Sequence, residues 1–316
     1  MRLIFCGTPQ FAVPTLERLV AEKFLVELAV TNPDEPSGRG YELKSSAVKQ
    51  AAERAGLPIF QPPKLKDPAT VEFLSRFQPD AIVVVAYGHI LPSWMIALPR
   101  LGCINLHASL LPKYRGAAPI QWAIIRGERV TGVTTMRIDA GLDTGDVLLK
   151  REVEILDEDT TETLSERLGT IGAGLMVETL RGLERGEITP VPQNHPFATL
   201  APLLKKEDGR IPWSLTAEEI ARRVRGLRPW PGAYAGFRGK NLHLWAAAVS
   251  QASEAPAAPD SAPPPGQLIV QGGKLYVACG QGTLLEVREV QLEGRKRIPA
   301  RDFLNGVRII PGEKLE

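Results

Sequence analysis

Apolar residues in the first half of the chain gather into short continuous runs, and between these runs they recur every three or four positions. Arg2–Cys6, Leu25–Thr31, Ala81–Ala86 and Gly102–Leu106 read as strands buried on both faces, while Val13–Lys23, Ser46–Ala55 and Thr70–Phe77 carry helical spacing. Buried strands alternating with helices predict a doubly wound, mainly parallel α/β sheet over residues 1–188. Val133–Ile138 and Val147–Glu154 read as further strands. A long amphipathic helix is expected over Thr161–Arg185, where Leu164, Leu168, Ile171, Leu175 and Leu183 fall near one face; Gly172 and Gly174 weaken it locally. The pattern then changes. Residues 189–203 open on TPVPQNHPFAT, with no periodicity, and are expected to form a linker. Residues 204–316 contain one helical stretch, Ala217–Gly226, and then short strand-like pieces: Ala233–Phe237, Asn241–Ala247, Gly266–Val270, Lys274–Ala278 and Thr283–Val290. Glycine turns between them predict a small β-barrel, interrupted by an Ala- and Pro-rich loop at Ala252–Pro265.

Composition narrows the class. Apolar residues at 44% and charged residues at 23% are the balance of an ordinary globular protein. No run approaches the roughly 18 apolar residues of a membrane span, and the opening MRLIFCGTPQF lacks a signal-peptide h-region and cleavage site. A cytoplasmic location without membrane attachment is the expectation. Cys6, Cys103 and Cys279 are too scattered for a disulfide framework or a zinc site, so buried free thiols and no metal are expected. Charge is uneven: residues 1–203 carry 21 Lys+Arg against 24 Asp+Glu, or −3, and residues 204–316 carry 17 against 12, or +5. A basic C-terminal part offers a phosphate-binding surface, although an excess this small equally describes a solvated face.

The densest polar cluster in an apolar context is Ile104-Asn-Leu-His-Ala-Ser-Leu-Leu-Pro112. On a strand ending near Leu106, Asn105 and His107 project from one face at the carboxyl end of the sheet, where open α/β sheets bind ligands. For an isolated pair the competing reading is a satisfied core histidine and a turn asparagine. Two features shift the balance. Asp139-Ala-Gly-Leu-Asp-Thr-Gly-Asp146 puts three carboxylates in a glycine-punctuated loop between two strands, one of them able to meet His107, and its spacing misses the EF-hand pattern. The irregular stretch Ser109–Trp122 can wall a pocket before it enters a helix. An amide, an imidazole and a carboxylate with no Ser or Cys nucleophile suit direct acyl transfer to an external amine. The amide steadies the oxyanion and the imidazole, held by the carboxylate, manages protons. A GxGxxG loop is absent, which argues against a nicotinamide cofactor.

These residues resemble the methionyl-tRNA formyltransferase family nearly end to end. The resemblance rests on Phe5-Cys-Gly-Thr-Pro-Gln-Phe11, Asn32-Pro-Asp-Glu-Pro-Ser-Gly-Arg-Gly40, Val83-Val-Val-Ala-Tyr-Gly88, Cys103–Pro112, Arg115-Gly-Ala-Ala-Pro-Ile-Gln121 and Gly141-Leu-Asp-Thr-Gly-Asp146. It implies a Rossmann-like formyltransferase domain followed by an OB-like barrel, with Asn105, His107 and Asp143 catalytic. It further implies 10-formyltetrahydrofolate as co-substrate, held by Ser109, Leu110, Leu111 and Pro112 with Tyr87 and Gly88, and initiator methionyl-tRNA as partner. Arg39 would reach the acceptor end, and the barrel, with Lys205, Lys206, Arg295, Lys296 and Arg297, would hold the stem. The chain departs from the family at Ala108, where glycine is common, at Glu35, where a basic residue is frequent, and in the Ala252–Pro265 insert. The rivals are a formyltransferase acting on an amino sugar nucleotide, a folate-dependent hydrolase, and an RNA-binding protein that kept the fold without catalysis. The Asn32–Gly40 loop and the basic C-terminal part weigh against the first, the lack of room for a fused dehydrogenase domain against the second, and the intact Asn105, His107, Asp143 set against the third.

Overall fold

The computed structural model describes residues 1–37, 42–250 and 263–316, which divide into two units. Unit 1 takes in Met1–Pro119, Val130–Glu154 and Ser165–Pro202; unit 2 takes in Ile120–Arg129, Ile155–Leu164 and Leu203–Glu316. The expected linker, residues 189–203, thus falls with unit 1 as far as Pro202.

In chain order the first elements are β1 (Arg2–Gly7), α1 (Val13–Ala21), β2 (Leu25–Val30), the short hairpin β3 (Glu35–Ser37) and β4 (Glu42–Lys44), α2 (Ala47–Arg54), β5 (Ile59–Phe60), α3 (Pro68–Ser75) and β6 (Ala81–Val85). They continue with α4 (Ser93–Ile96), β7 (Cys103–His107), α5 (Pro119–Ile125), β8 (Val130–Arg137), β9 (Val147–Glu154) and α6 (Thr161–Arg185). The seven-stranded sheet of unit 1 has the order β5-β2-β1-β6-β7-β8-β9. The chain reverses direction of travel at β1, between β2 and β6, the switch point at which doubly wound sheets open a crevice. Strands β5 to β7 run parallel, whereas β8 is antiparallel to both β7 and β9, so the sheet is mixed at one edge. The β7–β8 pairing has a consequence for the site: the loop leaving β8 emerges beyond the opposite end of that strand from β7's own exit, and Arg137 lies opposite Ile104.

Alternation sorts the side chains. Ile4, Cys6, Leu28, Val30, Ile82, Val84 and Cys103 join one core cluster with Leu74 of α3 and Met95 of α4. On the other face α6 crosses β7 at Gly172, where an added Cβ would lie 2.6 Å from a Leu106 methyl. The glycine that weakened the helical pattern is therefore the residue that lets helix and strand approach, and α6 runs unbroken through it. Cys6, Cys103 and Cys279 are buried free thiols, and burial pushes the Cys103 thiol up to about 12.

Unit 2 holds α7 (Ala217–Gly226), β10 (Ala233–Phe237), β11 (Lys240–Val249), β12 (Leu268–Gln271), β13 (Lys274–Ala278), β14 (Leu284–Leu292), β15 (Ile298–Pro299) and α8 (Ala300–Gly306). Thr216 and Glu219 form a reciprocal capping box at the start of α7. The strands are antiparallel in the order β10-β11-β14-β13-β12, with β15 on β14. Taken alone this is an open path with free edges at β10 and β12. Residues Glu313–Glu316 occupy both edges. On the β12 side Leu268 donates to the Glu313 carbonyl and Leu315 to that of Gly266, each at 2.8 Å; on the β10 side Gly236 and Glu316 exchange bonds of 2.7 and 2.9 Å. This segment, which carries no strand signal in the sequence, closes the barrel and satisfies main-chain groups that an open edge would expose. The Ala- and Pro-rich insert expected at Ala252–Pro265 lies outside the described residues up to residue 262.

Leu315 is 4% exposed. Leu315→Ala should destabilise unit 2 by about 3 kcal/mol, read as a lower urea midpoint; a loss under about 1 kcal/mol would show that the closing segment contributes little.

Candidate active site

The site is built where β7 ends. Asn105 and His107, two residues apart on one strand, face the same way, and the strand extends to His107, one residue beyond the sequence expectation. His107 is buried, 6% exposed, and Asn105 is half-buried. The neighbouring strand β6 pairs Val84 with Asn105 and delivers Tyr87 and Gly88 just past its end. Tyr87 is buried, and burial pushes its phenol above the usual value; its carbonyl accepts from the Thr8 hydroxyl at 3.2 Å. Gly88 has φ +86°, a left-handed conformation suited to glycine.

The imidazole is oriented by the main chain. His107 Nε2 lies 2.8 Å from the Tyr114 carbonyl, and because a carbonyl only accepts, Nε2 carries the hydrogen. The Nδ1 edge is left facing Asp143, whose Oδ2 is 3.7 Å away. That separation is an ion-pair distance rather than a hydrogen bond. The same Oδ2 accepts the Gly116 N–H at 2.8 Å. Three consecutive residues, Tyr114 to Gly116, therefore hold both the imidazole and the carboxylate.

Two residues here adopt conformations that side chains disfavour. Tyr114 has φ +60° and Asp143 φ +50°, each costing on the order of 1 kcal/mol unless fixed by neighbours. Segment 199–201 fixes the first: Tyr114 N–H donates to the Thr199 hydroxyl at 2.9 Å, Arg115 N–H to the Thr199 carbonyl at 2.8 Å, and Ala201 N–H to the Arg115 carbonyl at 2.7 Å. Gly116, φ +119°, is so close to this segment that an added Cβ would lie 2.7 Å from the Ala201 carbonyl oxygen. The Asp139–Asp146 loop is braced internally by the Asp139 carboxylate, which accepts from Thr144 Oγ1 at 2.7 Å and Gly141 N–H at 3.0 Å.

Ser109–Pro112 leaves the strand as a tightly anchored segment. The Thr134 hydroxyl of β8 donates to the Ser109 carbonyl at 2.6 Å and accepts from Leu111 N–H at 3.2 Å, and Ser109 Oγ donates to the Lys113 carbonyl at 2.6 Å. Lys150 on β9 donates to the Leu111 carbonyl, and partial burial lowers its ammonium below the usual range.

His107 and Asp143 are thus brought together, Asn105 lies two residues before His107 on the same strand, and Ser109–Pro112 and Tyr87–Gly88 follow the exits of β7 and β6. Lys205, Lys206, Arg295, Lys296 and Arg297 belong to unit 2. Lys205 and Lys206 are exposed at the start of a 3-10 turn spanning Lys206–Gly209. Arg295, Lys296 and Arg297 are exposed between β14 and β15, where Arg297 pairs with Glu289 and lies 5.0 Å over the Trp245 ring. Arg39 lies outside the described residues; earlier in the chain Asp34 is held by Lys49 at 2.5 Å and by Gln61 at 2.8 Å, and the Lys49 hydrogen bond keeps the Asp34 carboxyl below its usual value. Sequence reasoning missed Thr134, Lys150 and Gln193. The first two look like ordinary strand residues, and Gln193 stands in a proline-rich stretch with the composition of a linker.

Comparison with known proteins adds to this geometry. The family profile described as formyl transferase matches residues 1–180, and that described as formyl transferase, C-terminal domain, matches residues 203–308. The chain is 56% identical to the methionyl-tRNA formyltransferase of Koribacter versatilis, with 100% of this chain and 98% of that protein covered. It is 54% identical to that of Solibacter usitatus, with the same coverage. Among solved structures, an N-formyltransferase from Helicobacter canadensis in complex with folinic acid and dTDP-3-aminofucose has the same fold at TM-score 0.68 and 16% identity, covering 90% of this chain and 98% of that one. A methionyl-tRNA formyltransferase from Clostridium thermocellum gives TM-score 0.57 at 18% identity, over 92% and 98%.

Thr134→Val should leave the Ser109 carbonyl and Leu111 N–H unpartnered, costing about 1–3 kcal/mol and raising hydrogen exchange over residues 109–113. Unchanged exchange there would remove Thr134 as the anchor.

Proposed function

Because the chain belongs to the methionyl-tRNA formyltransferase family and matches both formyl transferase domain profiles, we propose that it moves the formyl group of 10-formyltetrahydrofolate onto the α-amine of methionyl initiator tRNA. The reaction would serve translation initiation in the cytoplasm. The observation that carries the chemistry is His107 Nδ1 3.7 Å from Asp143, with Asn105 two residues before His107 on the same face of β7. Neither Cys103, in the core, nor the Ser109 hydroxyl, which donates to the Lys113 carbonyl, is placed as a nucleophile, which suits direct attack by the amine.

The folate supplies an activated formyl group, and the methionyl nitrogen adds to its carbon directly. As the formyl oxygen gains negative charge, the Asn105 amide donates to it from a position fixed by the strand, so no reorganisation is needed at the moment of reaction. One bond forms, from the methionyl nitrogen to the formyl carbon, and one breaks, from that carbon to N10. The proton the amine gives up passes to the edge shared by His107 Nδ1 and the Asp143 carboxylate and is returned to N10 of the leaving group. Tyr114 supports this by fixing which ring nitrogen faces the carboxylate.

Ser109–Pro112 and Tyr87–Gly88 are assigned to the folate. Two features support the assignment: the first segment is anchored by Thr134 and Lys150, and the second carries Gly88 in a left-handed conformation. Arg39, Lys205, Lys206, Arg295, Lys296 and Arg297 are assigned to the tRNA by charge and exposure. The amino sugar nucleotide reading is disfavoured by the 56% identical relative and by the +5 balance of residues 204–316, 17 Lys+Arg against 12 Asp+Glu.

Asn105→Ala and His107→Ala should each cut kcat by about 10²-fold or more while tRNA affinity stays within about twofold. Full formylation by Asn105→Ala would end the assignment. Replacing Lys205, Lys206, Arg295 and Lys296 together by alanine should weaken tRNA binding and flatten its salt dependence by up to about four units of slope. A salt slope equal to that of the parent would take these residues off the RNA. Arg39→Ala should depress transfer to tRNA well below its effect on folate hydrolysis; an equal loss in the two assays would separate Arg39 from the tRNA.

A further inference from the structure

We propose that Gln193 is a positioning residue for Asp143, acting together with the buried Arg115 as a clamp on the catalytic loop; the inference rests on the assignment of Asp143 above. The side chain of Gln193 is buried, 7% exposed, and all of its hydrogen-bonding capacity is directed. Its Nε2 donates to the Asp143 carbonyl at 2.9 Å and to the Gly145 carbonyl at 2.7 Å. Its Oε1 accepts from Arg115 Nε at 3.1 Å and Nη2 at 2.6 Å. The orientation of the amide is unambiguous, since carbonyls only accept and a guanidinium only donates. Arg115, also 7% exposed, is steadied in turn by His195 Nδ1, 3.2 Å from Nη2.

The clamp and the carboxylate contact the same short stretch from two sides. Gly116 N–H holds the Asp143 carboxylate while the neighbouring Arg115 side chain, through Gln193, holds the Asp143 and Gly145 carbonyls. A left-handed aspartate on an otherwise partly exposed loop is thereby fixed at both its side chain and its main chain. Without the Gln193 donor, the loop can relax its backbone and carry the carboxylate away from His107. Displacement of a catalytic group by about 1 Å can cost on the order of 10²-fold in rate.

Gln193→Glu isolates this role. It keeps an acceptor for Arg115 and gains a charge that suits the guanidinium, but it turns an oxygen toward two carbonyls that need a donor. Gln193→Met keeps the bulk and removes the donor without a new charge, and serves if the glutamate variant does not fold. Formyl transfer kinetics would be measured for each in the parent chain and in Asp143→Ala, with thermal unfolding of every variant. The expected result in the parent background is a kcat lower by about 10–100-fold with KM for both substrates within about twofold. In Asp143→Ala the same change should have less than about a twofold effect, because there is no carboxylate left to position. A proportional loss in both backgrounds would reveal a general structural role and overturn the proposal, as would parent-like kcat in Gln193→Met. Asp143→Ala alone tests the underlying reading separately: undiminished turnover in that variant would remove Asp143 from catalysis, whatever Gln193 does.

Discussion

The site depends on the main chain of Tyr114–Gly116. Its carbonyl at Tyr114 fixes the imidazole tautomer of His107, and its N–H at Gly116 takes the Asp143 carboxylate, so two side chains from different strand exits are registered against three residues. Neither partner would hold the other unaided: at 3.7 Å no directed bond joins the imidazole and the carboxylate. The orienting groups are peptide units, rigid and without rotamers, which gives precision that side-chain partners do not. This stretch is itself backed by Thr199 and Ala201, so the part of the chain that begins as proline-rich text ends as the wall on which the site is mounted.

Much of the first unit was readable from periodicity. Ala81–Val85 is an apolar run buried on both faces, and in Cys103–His107 the side-chain alternation places Asn105 with His107. The reversed direction of β8 was not readable, because a strand buried in a mixed sheet has the same apolar text as one in a parallel sheet. Gly172 weakens the helical pattern yet is a packing necessity, since a single sequence does not show what lies opposite a glycine. The hairpin strands Glu35–Ser37 and Glu42–Lys44 are too short to produce a period at all.

The candidate site divides in the same way. Asn105 and His107 were legible as a polar pair in an apolar strand, and Asp143 as one of three carboxylates in a loop, but nothing in spacing alone selects it over Asp139 or Asp146. In the structure Asp139 is spent on bracing its own loop through Thr144 and Gly141, which leaves Asp143 facing the imidazole. Gln193 escaped because its partners are carbonyls and a guanidinium 48 to 78 positions away, and long-range amide contacts leave no local pattern. The closing of the barrel by Glu313–Glu316 escaped for a related reason: a segment that makes alternate bonds to two different strands has neither the length nor the composition of a strand.

Mounting a site on peptide groups changes how it responds to mutation. Exchanging the side chain of Tyr114 leaves its carbonyl in the chain, so a conventional alanine scan would pass over the atom that orients the imidazole. Contributions of such main-chain atoms become visible only when the backbone itself is edited, for instance by installing an ester linkage in place of the amide at Gly116 through chemical ligation. Sequence drift at position 114 is correspondingly silent at the reacting centre, provided that the replacement residue still accepts its left-handed torsion.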